Sequence, residues 1–201
     1  MNKGKIVIIA GLVVVILIAG GALVFSGKDN KSPNSSSSTS DNTSSKSADS
    51  AKEDLGLCKI IDKDAAKVAL GAAAVNLSGP DDTGVTGLGD GDKGQTCVYP
   101  FAEGADVTNS FYTDLAVYSQ KSFDDISSFT ATSGEPVSGI GDKAVYESNV
   151  LAATNAKEFS ITSVKGTKVY TFTISQPKDA VTFDDATART ALTTIAQAAK
   201  L

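Results

Sequence analysis

The chain contains no histidine and no tryptophan, one methionine, five prolines and two cysteines in 201 residues. The absence of histidine removes every imidazole-based acid, base and metal ligand. Two cysteines without histidine also fall short of the usual four-ligand zinc set. Positive charge is scarce: 18 Lys and Arg stand against 23 Asp and Glu, a net charge of −5. From Asp54 to Leu201 the counts are 12 and 19, so that part carries −7. A surface of that sign repels phosphate backbones, which excludes nucleic acid as a partner. It favours solubility, or partners that are cationic.

The mean hydropathy is zero, an average over three unlike segments. Lys3 and Lys5 sit in a short stub, residues 1–5, ahead of an uncharged run from Ile6 to Phe25. Twenty apolar residues at about 1.5 Å each span the roughly 30 Å hydrocarbon core of a bilayer. Lysines preceding the run place the stub in the cytoplasm and the remainder outside. The rival reading is a cleaved signal peptide, for which Ala19 and Gly21 supply small residues before Ala22. The run exceeds a usual signal-peptide core of about 7–15 residues, which favours a retained anchor. Leu17-Ile18-Ala19-Gly20 opens like a bacterial lipobox, but the next residue is Gly21 and not cysteine. No thiol is there to carry a lipid, so the helix itself must anchor the chain. Residues 26–53 hold eleven serines and almost nothing apolar. Such a stretch cannot bury enough surface to offset its ordering entropy, and reads as a disordered tether with a span of roughly 30 Å.

Residues 54–201 read as an extracytoplasmic domain. Cys58 and Cys97 suggest one disulfide in an oxidising compartment, the alternative being two unpaired buried thiols. Asp62 is placed to cap a short helix, DKDAAKVALG, with Ala65, Ala69 and Leu70 inward and Gly71 as its stop. The stretch from Ser78 to Gly94 is dense in Gly and Asp and predicts a long loop. Cys97-Val98-Tyr99 begins a strand that Pro100 ends, and Ser110–Ser119 alternates as a strong strand. Ser122 and Asp125 resemble a capping box opening a helix to about Phe129. Residues 143–147, 158–164 and 169–175 predict further strands, the last two joined as a hairpin through Lys165-Gly166-Thr167. From Thr182 onward, Ala188, Leu192, Ile195 and Ala199 give the final helix one apolar face. The order predicts an α+β two-layer sandwich: a mostly antiparallel sheet with the N- and C-terminal helices on one face, following the single membrane helix.

Several motifs invite chemistry and fail on context. Gly139-x-Gly141-x-x-Ala144 matches a dinucleotide fingerprint, yet a strand and not a helix follows it, so no helix N-terminus receives a pyrophosphate. It reads as a turn. Asp81, Asp82, Asp90, Asp92 and Gly94 hint at calcium, but an EF-hand starting at Asp90 would need Gly and Glu where Gln95 and Phe101 stand. Ser175 and Lys178 have S-x-x-K spacing, but the serine ends a strand and Pro177 intervenes. Tyr99, Tyr112, Tyr118, Tyr146 and Tyr170 all fall in predicted strands. Those turned away from the helices are candidates to line a shallow groove for a peptide, glycan or lipid, against the plainer account of tyrosines covering a half-exposed sheet.

Cys58 opening the domain, Ala69-Leu70-Gly71 at the helix end, Cys97-Val98-Tyr99, and Gly139-Ile140-Gly141-Asp142-Lys143-Ala144 ahead of two strands and an Ala-rich helix form a recognisable set. Together they resemble the secreted lipoproteins of Gram-positive actinobacteria grouped as a domain of unknown function. More distantly, the set is similar to extracellular sensor domains of mycobacterial serine/threonine kinases. The resemblance spans about residues 55–201. It departs from the pattern in the missing lipobox cysteine and in Tyr99, where tryptophan is expected. It implies a cell-surface α+β module and carries no catalytic residues across.

The function read from the sequence is a membrane-anchored extracytoplasmic binding or interaction domain, with no catalysis and no cofactor or metal. Its expected partners are the membrane and an envelope ligand or protein. The alternatives are a hydrolase using carboxylates among Asp124, Asp125 and Glu147, and a structural envelope component.

Overall fold

The computed structural model describes residues 53–126 and 134–201. The stub, the span 6–25 and the tether up to residue 52 lie outside the described residues, as does the expected helical continuation to Phe129. No helix among the described residues is long and apolar enough to cross a membrane.

Seven strands form one antiparallel sheet: β1 (Asp81–Gly89), β2 (Asp92–Pro100), β3 (Ser110–Val117), β4 (Glu135–Val137), β5 (Lys143–Leu151), β6 (Ala156–Lys165) and β7 (Lys168–Pro177), in the order β1-β2-β3-β7-β6-β5-β4. The chain thus builds two antiparallel runs, β1-β2-β3 and β4 to β7, and joins them where β3 pairs with β7. The expected β6–β7 hairpin forms, with Gly166 and Thr167 between the strands and Lys165 as the last residue of β6.

The loop predicted over Ser78–Gly94 is instead mostly strand. β1 pairs with β2 across an Asp90-Gly91 turn whose φ angles are 50° and 82°. Both turn residues lie in the left-handed region, which Asp-Gly tolerates and a tight hairpin requires. Glycine and aspartate disfavour strands weakly, and pairing to the regular β2 overrides that preference. Register shifts between Asp82 and Val85 and between Gly87 and Gly89 mark β1 as an irregular edge strand.

The α-helices among the described residues are α1 (Lys63–Leu70), α2 (Gln120–Ile126) and α3 (Asp185–Ala198). Asp62 caps α1 as expected, its Oδ1 accepting from the amides of Asp64 and Ala65 at 2.9 and 3.1 Å. The inward residues are Ala66 and Leu70, one turn apart, with Ala69 partly buried against the core, whereas Ala65 is exposed. Helix α2 begins earlier than the Ser122 box predicts. The Ser119 hydroxyl accepts from the Ser122 amide at 3.1 Å and its carbonyl from the Phe123 amide at 2.9 Å, so Ser119 is the capping residue. Asp184 caps α3, and Ala188, Ala191, Leu192, Ile195 and Ala196 form its buried stripe.

Helices α1 and α3 pack together, and α3 lies against β6 and β7. One core joins Leu57, Ala66, Leu70, Leu192 and Ile195 to Tyr99, Phe111, Phe159, Phe172 and Ile174 of the sheet. Two buried glutamines fasten the chain at either end of this layer. Gln95 of β2 accepts from the amides of Leu55 and Leu57 ahead of α1. Gln176 of β7 accepts from the Phe183 amide and donates to the Ala180 and Phe183 carbonyls ahead of α3. Cys58 and Cys97 form the expected disulfide, with Cα atoms 5.5 Å apart and 39 residues between them in sequence.

Candidate functional site

Alternate residues of a strand face opposite sides of the sheet. On β3, Phe111, Thr113 and Leu115 therefore face the helices, and Ser110, Tyr112, Asp114 and Ala116 face away. Register extends the outward set across the sheet. Asp114 lies opposite Thr96 on β2 and Thr171 on β7; Tyr112 lies opposite Thr173, which lies opposite Ser160 on β6; Ser110 lies opposite Ser175, which lies opposite Glu158. The result is a strip of hydroxyls with two carboxyls and one phenol.

The strip is not simply a wet surface. Ser110, Tyr112, Thr173 and Ser175 are buried, and Asp114 is only 8% exposed. Thr96, Glu158, Ser160 and Thr171 are half-buried at its borders. The Thr96 hydroxyl donates to Asp114 Oδ1 at 2.5 Å, while Asp114 Oδ2 is buried and has no hydrogen-bond partner. Tyr112 reaches over β7 to donate its hydroxyl to Glu158 Oε1 at 3.0 Å. Burial pushes the Asp114 carboxyl up to about 7, with the Glu158 charge adding to the rise and the Thr96 hydrogen bond opposing it. Burial also raises Glu158, against the Tyr112 hydrogen bond. The Tyr112 hydroxyl is raised by burial and by the charges of Glu158 and Asp114. A buried polar group without a partner is unfavourable, and perturbed carboxyls collect at functional sites.

The five tyrosines do not share one surface. Tyr99, Tyr146 and Tyr170 belong to the core beneath the helices. Tyr99 stacks at a tilt on Phe111, with ring centroids 5.4 Å apart. The Tyr146 hydroxyl donates to the backbone and carboxylate oxygens of Asp185 at 3.1 Å, tying β5 to the start of α3. Tyr118 lies just past the end of β3, half-buried. Tyr112 alone stands in the polar strip. Strand parity divides the five candidates, because the helices cover the side chains of the odd positions of β2 and β3 and the even positions of β7.

Asp124 and Asp125 are exposed on α2, and Glu147 is half-buried on β5. The Asp90-Gly91 pair is the hairpin turn, Asp92 accepts from the Ser119 amide at 2.8 Å, and Asp82 accepts from the Gly84 amide and Gln95. Asp82 also lies near the sulfurs of Cys58 and Cys97, but disulfide sulfur has no thiolate to offer a metal. Gly139 and Gly141 both adopt positive φ, 80° and 55°, between β4 and β5. A side chain at Gly141 would collide with the Ser163 hydroxyl and the Val164 carbonyl. The following Asp142 donates its amide to Val164 and accepts from the Gly166 amide, each at 2.7 Å, which makes the motif a turn.

Asp114 and Glu158 were not singled out by motif, since neither belongs to one. The available signal was Asp114 itself, the only charge in the buried run SFYTDLAV. No family model, no curated protein and no solved structure matches this chain at a significant level.

Proposed function

We propose that this chain is a membrane-anchored extracytoplasmic binding module, without catalysis, that takes its ligand on the sheet face turned away from α1 and α3. The observation that carries the reading is Asp114, a nearly buried carboxyl with one unpartnered oxygen, set among hydroxyls on that face. Its neighbourhood suits recognition rather than hydrolysis. Asp114 and Glu158 sit on β3 and β6 with β7 between them, and Tyr112 bridges toward Glu158; a hydrolytic pair of acids would instead face each other across a cleft. The apolar run 6–25 and the cysteine pairing support an anchor and an oxidising compartment. The resemblance to secreted actinobacterial lipoproteins supports the cell surface.

Thermal unfolding of the purified full chain in detergent tests the binding face. Amines, sugars, divalent cations and lipid headgroups are screened on the wild type and on Asp114→Asn. At least one class should raise the melting temperature of the wild type and leave the variant unmoved. A screen in which no class separates the two proteins refutes this face as the site. N-terminal sequencing of the mature protein tests the anchor, with Met1 or Asn2 expected and a start near Ala22 contradicting it.

A further inference from the structure

The polar strip carries an imbalance of charge and of hydrogen-bonding capacity. By register, the outward side of the sheet bears Asp114, Glu158 and Glu147. Among the described residues its one basic side chain is Lys143, at the start of β5 and three strands away from Asp114. Neither Asp114 nor Glu158 is paired with a Lys or Arg among the described residues, whereas Asp54, Glu53 and Glu135 on other surfaces are. Asp114 Oδ2 accepts nothing, and the Tyr112 hydroxyl is committed as a donor to Glu158. What the strip lacks is a donor that carries positive charge.

We infer that the strip recognises the primary ammonium group of an organic amine, with Asp114 as its main anchor, the hydroxyl of Thr171 opposite it as a further acceptor, and the Glu158 charge adding attraction from farther along the strip. This rests on the reading of that face as the binding site. An ammonium group has three donors and no acceptor, which suits a carboxylate oxygen flanked by hydroxyls. A divalent cation would need six or more oxygens with several carboxylates among them. Among the described residues no three carboxylates come close enough to share an ion, the one acid-containing trio being Asp82 with the disulfide. A neutral sugar brings no positive charge to the two carboxyls, and the strip has no exposed aromatic platform, since Tyr112 is buried. The half-buried Thr96, Thr171, Ser160 and Glu158 are the positions where the strip meets solvent and admits the ligand. Binding also moves a proton. An Asp114 carboxyl that holds its proton near neutrality releases it to solvent when the ammonium group replaces it as the donor.

Isothermal titration of the full chain in detergent with spermidine, at pH 6.5 in two buffers of different ionisation enthalpy, tests the inference, with calcium chloride and glucose titrated alongside. Spermidine should bind with proton release, and Asp114→Asn should weaken it at least about tenfold and abolish the release. Glu158→Gln should weaken it less and leave part of the release, reduced because the Glu158 charge helps hold the Asp114 proton; it serves as the second variant if Asp114→Asn does not fold. If calcium or glucose binds in an Asp114-dependent way and spermidine does not, the face remains a binding site and the amine inference is overturned. Spermidine binding that is indifferent to both variants, or no spermidine binding at all, overturns the inference as well. The unfolding screen above then decides separately whether the face binds anything.

Discussion

The two faces of the central strands are both buried and differ in what they bury. Toward the helices, β3 and β7 present Phe111, Leu115, Tyr170, Phe172 and Ile174, packed with α1 and α3 into one core. Away from the helices the same two strands present Ser110, Tyr112, Asp114, Thr173 and Ser175. The first set stabilises by removing apolar area from water, about 25 cal/mol per Å². The second set removes polar groups from water and leaves one carboxylate oxygen without a donor, which opposes folding. One face is there for stability, the other in spite of it.

The largest expected effect lies on the first face. Phe172 is fully buried at the centre of the sheet, and Phe172→Ala should destabilise by about 3–5 kcal/mol through lost burial and a cavity. Chemical denaturation measures it; a loss under 1 kcal/mol would show that the helix-facing layer is loosely packed. Next comes the disulfide that links the start of the domain to β2. Replacing both cysteines by serine should lower stability by about 2–4 kcal/mol, given the 39-residue separation. Loss of the non-reducing gel shift, with an unchanged melting temperature, would contradict that role.

The opposite sign is expected across the sheet. The folded-state pKa of Asp114 is raised to about 7, above the unfolded value near 3.9. Between those values the folded protein holds a proton that the unfolded chain has released, so stability falls as pH rises from about 4 to about 7. Above pH 7 the full penalty is present. Asp114→Asn should therefore stabilise at pH 8, by on the order of 2 kcal/mol, and flatten the pH dependence over that window. A variant less stable than wild type at pH 8 would show that the carboxylate has a charge partner there. The smallest effect concerns the covering layer: Asp62→Ala removes the acceptor for two amides at the start of α1 and should destabilise by about 1 kcal/mol. It should leave ligand binding on the far face unchanged.

Much of the first face was legible in the sequence. Ala188, Leu192 and Ile195 recur at helical spacing, Asp62 and Gly71 punctuate α1, and the alternation of Ser110–Val117 is plain. These signals are local, resting on periodicity and on caps within one turn. The β1 strand was hidden because its Gly and Asp content argues against a strand until β2 is known to lie beside it. Ala66 rather than Ala65 faces inward, a difference of one helical position that only the packing partner fixes. The second face was half legible. The sequence set Tyr112 and Asp114 together on one side of a strand, but it did not bring Glu158 to them.

By itself, then, the sequence determined the α+β class, the single possible cysteine pair and the exclusion of histidine chemistry, because composition and short-range spacing suffice for these. Tertiary structure alone decided that β3 pairs with β7 instead of with β4. That pairing, between strands more than fifty residues apart, lays Asp114 and Tyr112 beside Thr171, Thr173 and Ser175 and brings Glu158 within reach of the phenol. No periodicity encodes such a contact. It arises when the helices choose which face of the joined sheet to cover, and the polar strip is what that choice leaves on the other side.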